Sequence, residues 1–155
     1  MKPITFFIAV LALAGLTASG FISNNPTRTF TYRDEPVLTT IKVPSRFLGK
    51  YQGRNGGYLE LKADGTGTYV YDYFVYPLEE CVPGPISIEW GFMANEDGSV
   101  FRYDRQYGLS YPVILKAVSQ KTSFQGCREE VIMDYILVRG NELSVSSSDD
   151  WVKHF

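Results

Sequence analysis

The chain has 155 residues, of which 15 are Lys or Arg and 17 are Asp or Glu, and a formal net charge of −2 at pH 7. It contains no run of basic residues, so the charge pattern excludes the basic surface expected of a nucleic-acid-binding protein. The length is sufficient for one domain with a hydrophobic core.

The first 20 residues have the pattern of a secretory signal peptide. Lys2 precedes an apolar run over residues 4–16, and small residues follow up to Gly20. This run is shorter than the about 20 residues that a membrane-spanning helix needs. We therefore expect cleavage near Gly20, a secreted or periplasmic protein, and no membrane span in the mature chain. An uncleaved membrane anchor is the less favoured alternative.

Residues 21–45 form a region rich in Asn, Pro, Thr and Arg, with prolines at 26, 36 and 44. Such composition is typical of a linker or an extended N-terminal arm. Within it, residues 37–43 predict either a short strand or an arm that packs on the domain. The domain itself is expected to cover residues 46–155.

A hairpin over residues 57–76 is the clearest local signal. Leu59 and Leu61 alternate with polar residues before a turn at 64–67, and the second strand is rich in Tyr, Val and Phe. A loop of two or four residues would place the leucines on the face of Val70. A loop of three residues with a bulge would place them with the row that begins at Tyr69.

The remaining chain shows short strand patterns separated by turn residues and almost no helical periodicity. The predicted strands are 47–52, 57–63, 68–76, 86–93, 100–107, 111–118, 131–138 and 143–147. Residues 122–127 predict a short strand or a loop, and 151–155 predict one helical turn after an acidic cap. Eight close, regularly spaced strands predict an all-β, antiparallel up-and-down barrel. A barrel of this size is filled by side chains or holds one small ligand.

Two short motifs resemble small lipocalin-like proteins of the calycin type, notably secreted bacterial ones. Residues 47–51 read FLGKY, and YLELKADGTGTY follows at 58–69. Gly49-Lys50-Tyr51 stands where lipocalins open their first strand with Gly-x-Trp, with Tyr in place of Trp. The resemblance covers most of residues 46–155 and implies a barrel that binds a small apolar molecule.

The chain has two cysteines, Cys81 and Cys127, both in predicted loops. In an exported protein we expect one disulfide between them. The alternative, a redox or metal-binding pair, lacks a C-x-x-C motif and a nearby His. We therefore predict no metal site and no cofactor.

Catalytic groups are scarce, which indicates that the protein is not an enzyme. The only histidine is His154, next to the C-terminus, where a general base would be poorly held. Asp72 and Asp134 lie within apolar strands and could point into the barrel, with Arg102, Arg105 or Lys116 as partners. We expect both carboxylates to face solvent instead, since charged residues are rarely buried.

The 11 Tyr, 10 Phe and 2 Trp residues are expected mainly to fill the barrel and to pair across strands. If some of them line a ligand site, the candidate set is Tyr69, Tyr71, Tyr73, Trp90, Tyr103 and Tyr135. The first functional hypothesis is therefore a secreted barrel that binds a small apolar ligand. The second is a protein-interaction or inhibitor module of the cell envelope with a filled core. An enzyme that uses Asp72 or Asp134 is the third.

Overall fold

The computed structural model describes residues 27–53, 56–70, 85–106, 108–118, 130–146 and 148–154. This part of the chain is almost entirely β-structure, with one 3-10 turn at Ser45–Phe47. The strands are β1 Thr27–Tyr32, β2 Glu35–Thr40, β3 Gly49–Gln52, β4 Tyr58–Leu61, β5 Thr66–Val70, β6 Ile86–Met93, β7 Tyr103–Arg105, β8 Gly108–Ala117, β9 Val131–Arg139, β10 Glu142–Val145 and β11 Ser148–His154.

Eight of the strands close into an antiparallel barrel, as predicted. Their order around the barrel is β3, β4, β5, β6, β8, β9, β10 and β11, and a pairing of Val152 with Gln52 joins β11 back to β3. Neighbours around the barrel therefore follow one another along the chain from β3 to β11, and within that stretch only β7 is left out. This is up-and-down topology, in which closure leaves the barrel without a free edge.

The predicted helical turn at 151–155 is wrong. Residues 151–154 belong to β11, which pairs with β10 from Glu142 opposite His154 to Ser144 opposite Val152. The pairing satisfies the backbone groups that a single helical turn would leave without partners. A shift of register between Ser144 and Val145 interrupts this ladder.

The turn between β4 and β5 follows the three-residue alternative. Lys62 donates its backbone N–H to Thr66, and Gly65 has φ +81°. Leu59 consequently pairs with Tyr69, and both side chains are buried. The Asp64 carboxylate accepts hydrogen bonds from the backbone and the hydroxyl of Thr66, at 2.9 and 2.7 Å. These bonds lower the pKa of Asp64, and they fit a turn rather than a calcium loop.

The inward faces of the barrel strands form one continuous core. Strand β6 shows the alternation most clearly, with Ile86, Ile88, Trp90 and Phe92 all buried in this core. Side chains on the opposite face of β6 point away from the core, as period-two alternation requires.

The N-terminal strands β1 and β2 form a hairpin on the outside of the barrel, within the region expected to be a linker or arm. Strand β2 pairs with the last residues of β6, and β1 also contacts β9. The hairpin therefore crosses the outer faces of β6 and β8. Phe30 and Thr39 are buried there, and Gly91 of β6 lies directly beneath them.

Gly91→Ala is expected to lower the free energy of unfolding by about 1–3 kcal/mol, the usual cost of overpacking. A Cβ atom at this position would lie 2.4 Å from the Thr39 hydroxyl oxygen and 2.7 Å from its Cβ. Thr39 cannot easily move, since its hydroxyl donates to the Arg28 carbonyl at 3.0 Å.

Urea unfolding of Gly91→Ala, Thr39→Gly and the double variant measures this cost. The structure predicts that Gly91→Ala is less destabilising in the Thr39→Gly background than in the wild type. Equal costs in the two backgrounds would contradict the proposed contact between the hairpin and the barrel wall.

Candidate ligand-binding site

The two ends of the barrel differ in how they are closed. At one end, here called the plugged end, the 3-10 turn before β3 inserts Phe47. Its ring lies 5.2 Å from that of Phe92 and 4.8 Å from that of Tyr111. At the other end, the loop end, β5 connects to β6 and β8 to β9 through residues 71–84 and 119–129, which lie outside the described part.

Polar contacts hold the plugged end together. The Tyr51 hydroxyl donates to the Phe47 carbonyl at 2.8 Å, and burial raises the pKa of this phenol. Lys153 lies opposite Leu143 on the inward face of its strand pair. Its ammonium group donates to the carbonyls of Arg46 and Leu48. Desolvation lowers the pKa of Lys153. These bonds fasten the turn to β3 and β11.

Side-chain size changes along the barrel interior. Large aromatic rings occupy the plugged half, where Trp90 and Phe92 pack edge to face at 5.8 Å. Towards the loop end, the last inward positions of β5, β6, β8 and β9 are occupied by one Tyr and smaller aliphatic residues, and the next inward position of β9 carries a carboxylate. This rim cluster consists of Tyr69, Ile86, Ala117, Ile132 and Asp134.

Asp134 points into the barrel, so the expectation that it faces solvent is wrong. It alternates with Ile132 and Ile136 on the inward face of β9 and is 2 % exposed. Its carboxylate accepts hydrogen bonds from the Tyr135 backbone N–H at 2.7 Å and the Ser146 hydroxyl at 3.1 Å. Ser146 is exposed at the end of β10, whereas on β8 Asp134 pairs with Val113, the partner of Phe92. The carboxylate therefore lies one inward position beyond Ile132, between the loop end and the aromatic rings.

Arg102 and Arg105, two of the proposed partners of Asp134, contact other groups. Arg102 instead pairs with Asp104 at 3.7 Å. The guanidinium of Arg105 lies 5.6 Å from the ring centre of Tyr135, and the side chain of Lys116 is exposed.

The structure separates the aromatic residues that the sequence grouped together. Tyr69 and Trp90 both face the interior, where the Trp90 indole N–H donates to the Thr66 carbonyl at 2.8 Å. Tyr135 lies on the outer face of β9, one residue out of phase with the inward positions. Tyr103 is 44 % exposed on β7, which is not a barrel strand. The interior thus brings together two of the four candidates that the structure describes.

Several predicted residues lie outside the described part of the chain. They include Tyr71 and Tyr73, the carboxylate of Asp72, and both cysteines, Cys81 and Cys127, so the disulfide remains a prediction. Among the residues that are described, no group of three or more His, Cys, Asp or Glu could hold a metal ion. That same part of the chain has no helix long and apolar enough to cross a membrane.

Sequence reasoning missed the aliphatic members of the rim cluster. The residues predicted to line a ligand site were tyrosines and one tryptophan. The alternation of apolar and polar residues around Ile86 and Ile132 was nevertheless visible in the sequence. Ala117, a small residue at the end of an otherwise bulky strand, was the available signal for free space.

Comparisons with models of protein families, with curated proteins and with solved structures found no match.

Proposed function

We propose that the protein is a secreted or periplasmic, lipocalin-like barrel that binds a small, mainly apolar molecule at the rim cluster. The observation that carries this proposal is the contrast between the two halves of the interior. Several rings fill the plugged half, whereas the rim cluster has a single ring, that of Tyr69, and its other apolar members are Ala117 and two isoleucines. Concave sites with apolar walls and a few polar groups are the usual form of small-molecule sites.

Asp134 gives this site its polar group. Its Oδ1 atom accepts hydrogen bonds from the Tyr135 backbone N–H and the Ser146 hydroxyl, which fix the position of the carboxylate. A ligand with an N–H or O–H group next to its apolar body would gain a charge-assisted hydrogen bond there. The role proposed is binding rather than catalysis, with no cofactor.

Titration of the mature chain with N-phenyl-1-naphthylamine, an apolar fluorophore with one N–H, tests this proposal. We expect saturable fluorescence enhancement that Ala117→Phe weakens at least tenfold, because the new ring would fill the loop end. Lys116→Phe is the matched control: it adds the same ring to the exposed outer face of β8 and should leave binding unchanged. Circular dichroism checks that both variants fold.

Asp134→Asn provides a second variant of similar shape. It should weaken binding by about fivefold, since a hydrogen bond to a charged group exceeds a neutral one by about 1 kcal/mol. A probe that shows no saturable binding, or that binds Ala117→Phe as well as the wild type, would refute the proposed site.

The second hypothesis, a protein-interaction or inhibitor module of the cell envelope, is favoured by one surface feature. Phe101 and Tyr103 pack edge to face at 4.8 Å on and beside β7, whose only described strand partner is β8. An edge strand with an exposed aromatic residue suits the addition of a partner strand. Absence of probe binding combined with capture of an envelope protein that Tyr103→Asp abolishes would favour this function.

A further inference from the structure

A groove lies on the barrel wall where β7, β8 and β9 run side by side, away from the rim cluster. Its volume is about 170 Å³, and it is lined by Arg105, Gly108, Leu109, Leu137, Val138 and Arg139. Three of these residues are aliphatic and two are cationic. The groove therefore combines an apolar lining with positive charge.

Two arginines flank a position without a side chain. Arg105 pairs with Gly108, and Arg139 follows Val138, the partner of Leu109, so the three residues form one row across three strands. Gly108 has φ +146°, and a Cβ atom there would lie 2.3 Å from the Val138 carbonyl oxygen. Only glycine fits this close approach of the two strands.

Neither arginine is within ion-pair distance of a carboxylate among the described residues. The ion pair between Arg102 and Asp104 involves neither of them. The Arg105 guanidinium instead lies over the Tyr135 ring, with 5.6 Å between Cζ and the ring centre. A guanidinium held against a ring keeps its N–H groups available for an anion.

A buried hydroxyl without a partner lies in the neighbouring row. Ser110 pairs with Tyr103 on one side and Leu137 on the other. It is fully buried, and its Oγ has no hydrogen-bond partner among the described residues. Leaving a hydroxyl unsatisfied in this way is costly and rare in folded proteins.

We propose that this groove binds a small carboxylate with a short aliphatic chain. The ligand's carboxylate accepts hydrogen bonds from Arg105, Arg139 and the Ser110 hydroxyl. The ligand thereby supplies the hydrogen-bond partner that the Ser110 hydroxyl lacks. The aliphatic chain lies against Leu137, which is on the same face of the sheet as the two arginines and Ser110.

The size of the groove limits the ligand. Its 170 Å³ corresponds to about five or six water molecules at about 30 Å³ each, below the about 300 Å³ at which drug-sized sites begin. An organic acid of a few carbons fits this space, whereas a long-chain lipid does not. The site is thus distinct in both position and ligand class from the one proposed at the rim.

Calorimetric or NMR titration of the mature protein with pentanoate, 1-pentanol and inorganic phosphate tests the proposal. We expect pentanoate to bind at least fivefold more tightly than either of the other two, and its affinity to fall as salt is added. Arg139→Gln should weaken pentanoate binding at least fivefold. Arg102→Gln removes the same charge from an arginine already paired with Asp104 and should leave binding unchanged.

Ser110→Ala separates a binding role from a structural one. If the hydroxyl serves a ligand, this variant should lose pentanoate affinity while its melting temperature without ligand stays the same or rises, since an unsatisfied buried group has been removed. Equal binding of pentanol or phosphate would overturn the proposed ligand class. An unchanged pentanoate affinity in Arg139→Gln would overturn the site.

Discussion

Replacing Trp90 by alanine is expected to lower the free energy of unfolding by about 3–5 kcal/mol, the usual range for loss of a large buried aromatic side chain. Trp90 is completely buried inside the barrel. Its indole N–H donates to the Thr66 carbonyl at 2.8 Å, and its ring packs edge to face on Phe92. A domain of this size is stable by about 5–15 kcal/mol, so the substitution removes a large part of the total.

Urea unfolding followed by circular dichroism measures the effect of Trp90→Ala. Trp90→Phe should cost less, since it keeps most of the apolar contact and loses mainly the hydrogen bond to Thr66. Val118→Ala is the surface control: Val118 is 60 % exposed, and its substitution should change stability by no more than about 0.5 kcal/mol. If Trp90→Ala and Val118→Ala proved equally stable, Trp90 could not lie in the packed core.

Strands with one buried face were predictable because alternation records burial directly. The predicted strand 86–93 coincides with β6, whose inward residues are those that the apolar pattern selected. The turn after β4 was also recognisable from Asp64 and Gly65, but its loop length was not. Two-, three- and four-residue loops share this chemistry, and only the pairing of Leu59 with Tyr69 distinguishes them.

The number of barrel strands was predicted correctly from a partly wrong set. The pattern at 100–107 was counted, yet β7 covers only Tyr103–Arg105 and lies outside the barrel. The missing strand was β11, where Asp149 and Asp150 resemble a helix cap. Its place in the barrel depends on pairing with β3, about a hundred residues earlier in the chain. Such tertiary pairing overrides local propensity.

The position of Asp134 shows the limit of arguing from residue type. A charged residue in an apolar strand is usually on the solvent side, and that rule gave the wrong face. The alternation of Ile132, Asp134 and Ile136 indicated the inward face and was the better guide. What local sequence could not supply was Ser146, whose hydroxyl reaches the carboxylate from the neighbouring strand.

Phe47→Ala should open the plugged end and lower the free energy of unfolding by about 3–5 kcal/mol. The ring is 1 % exposed and touches the rings of Phe92 and Tyr111. The hydrogen bond that Tyr51 donates goes to the Phe47 backbone carbonyl, so the substitution does not remove that acceptor. The loss therefore comes mainly from side-chain packing, and it leaves an apolar cavity.

Benzene provides a direct test of that cavity, because apolar cavities of this kind stay dry and bind small hydrocarbons. Saturating benzene should raise the melting temperature of Phe47→Ala, as any ligand of the native state does, but not that of the wild type. Phe101→Ala is the matched control, since Phe101 is only half-buried and packs on Tyr103 outside the barrel. Phe47 would not close the barrel if Phe47→Ala had the same free energy of unfolding as Phe101→Ala and if benzene did not change its melting temperature.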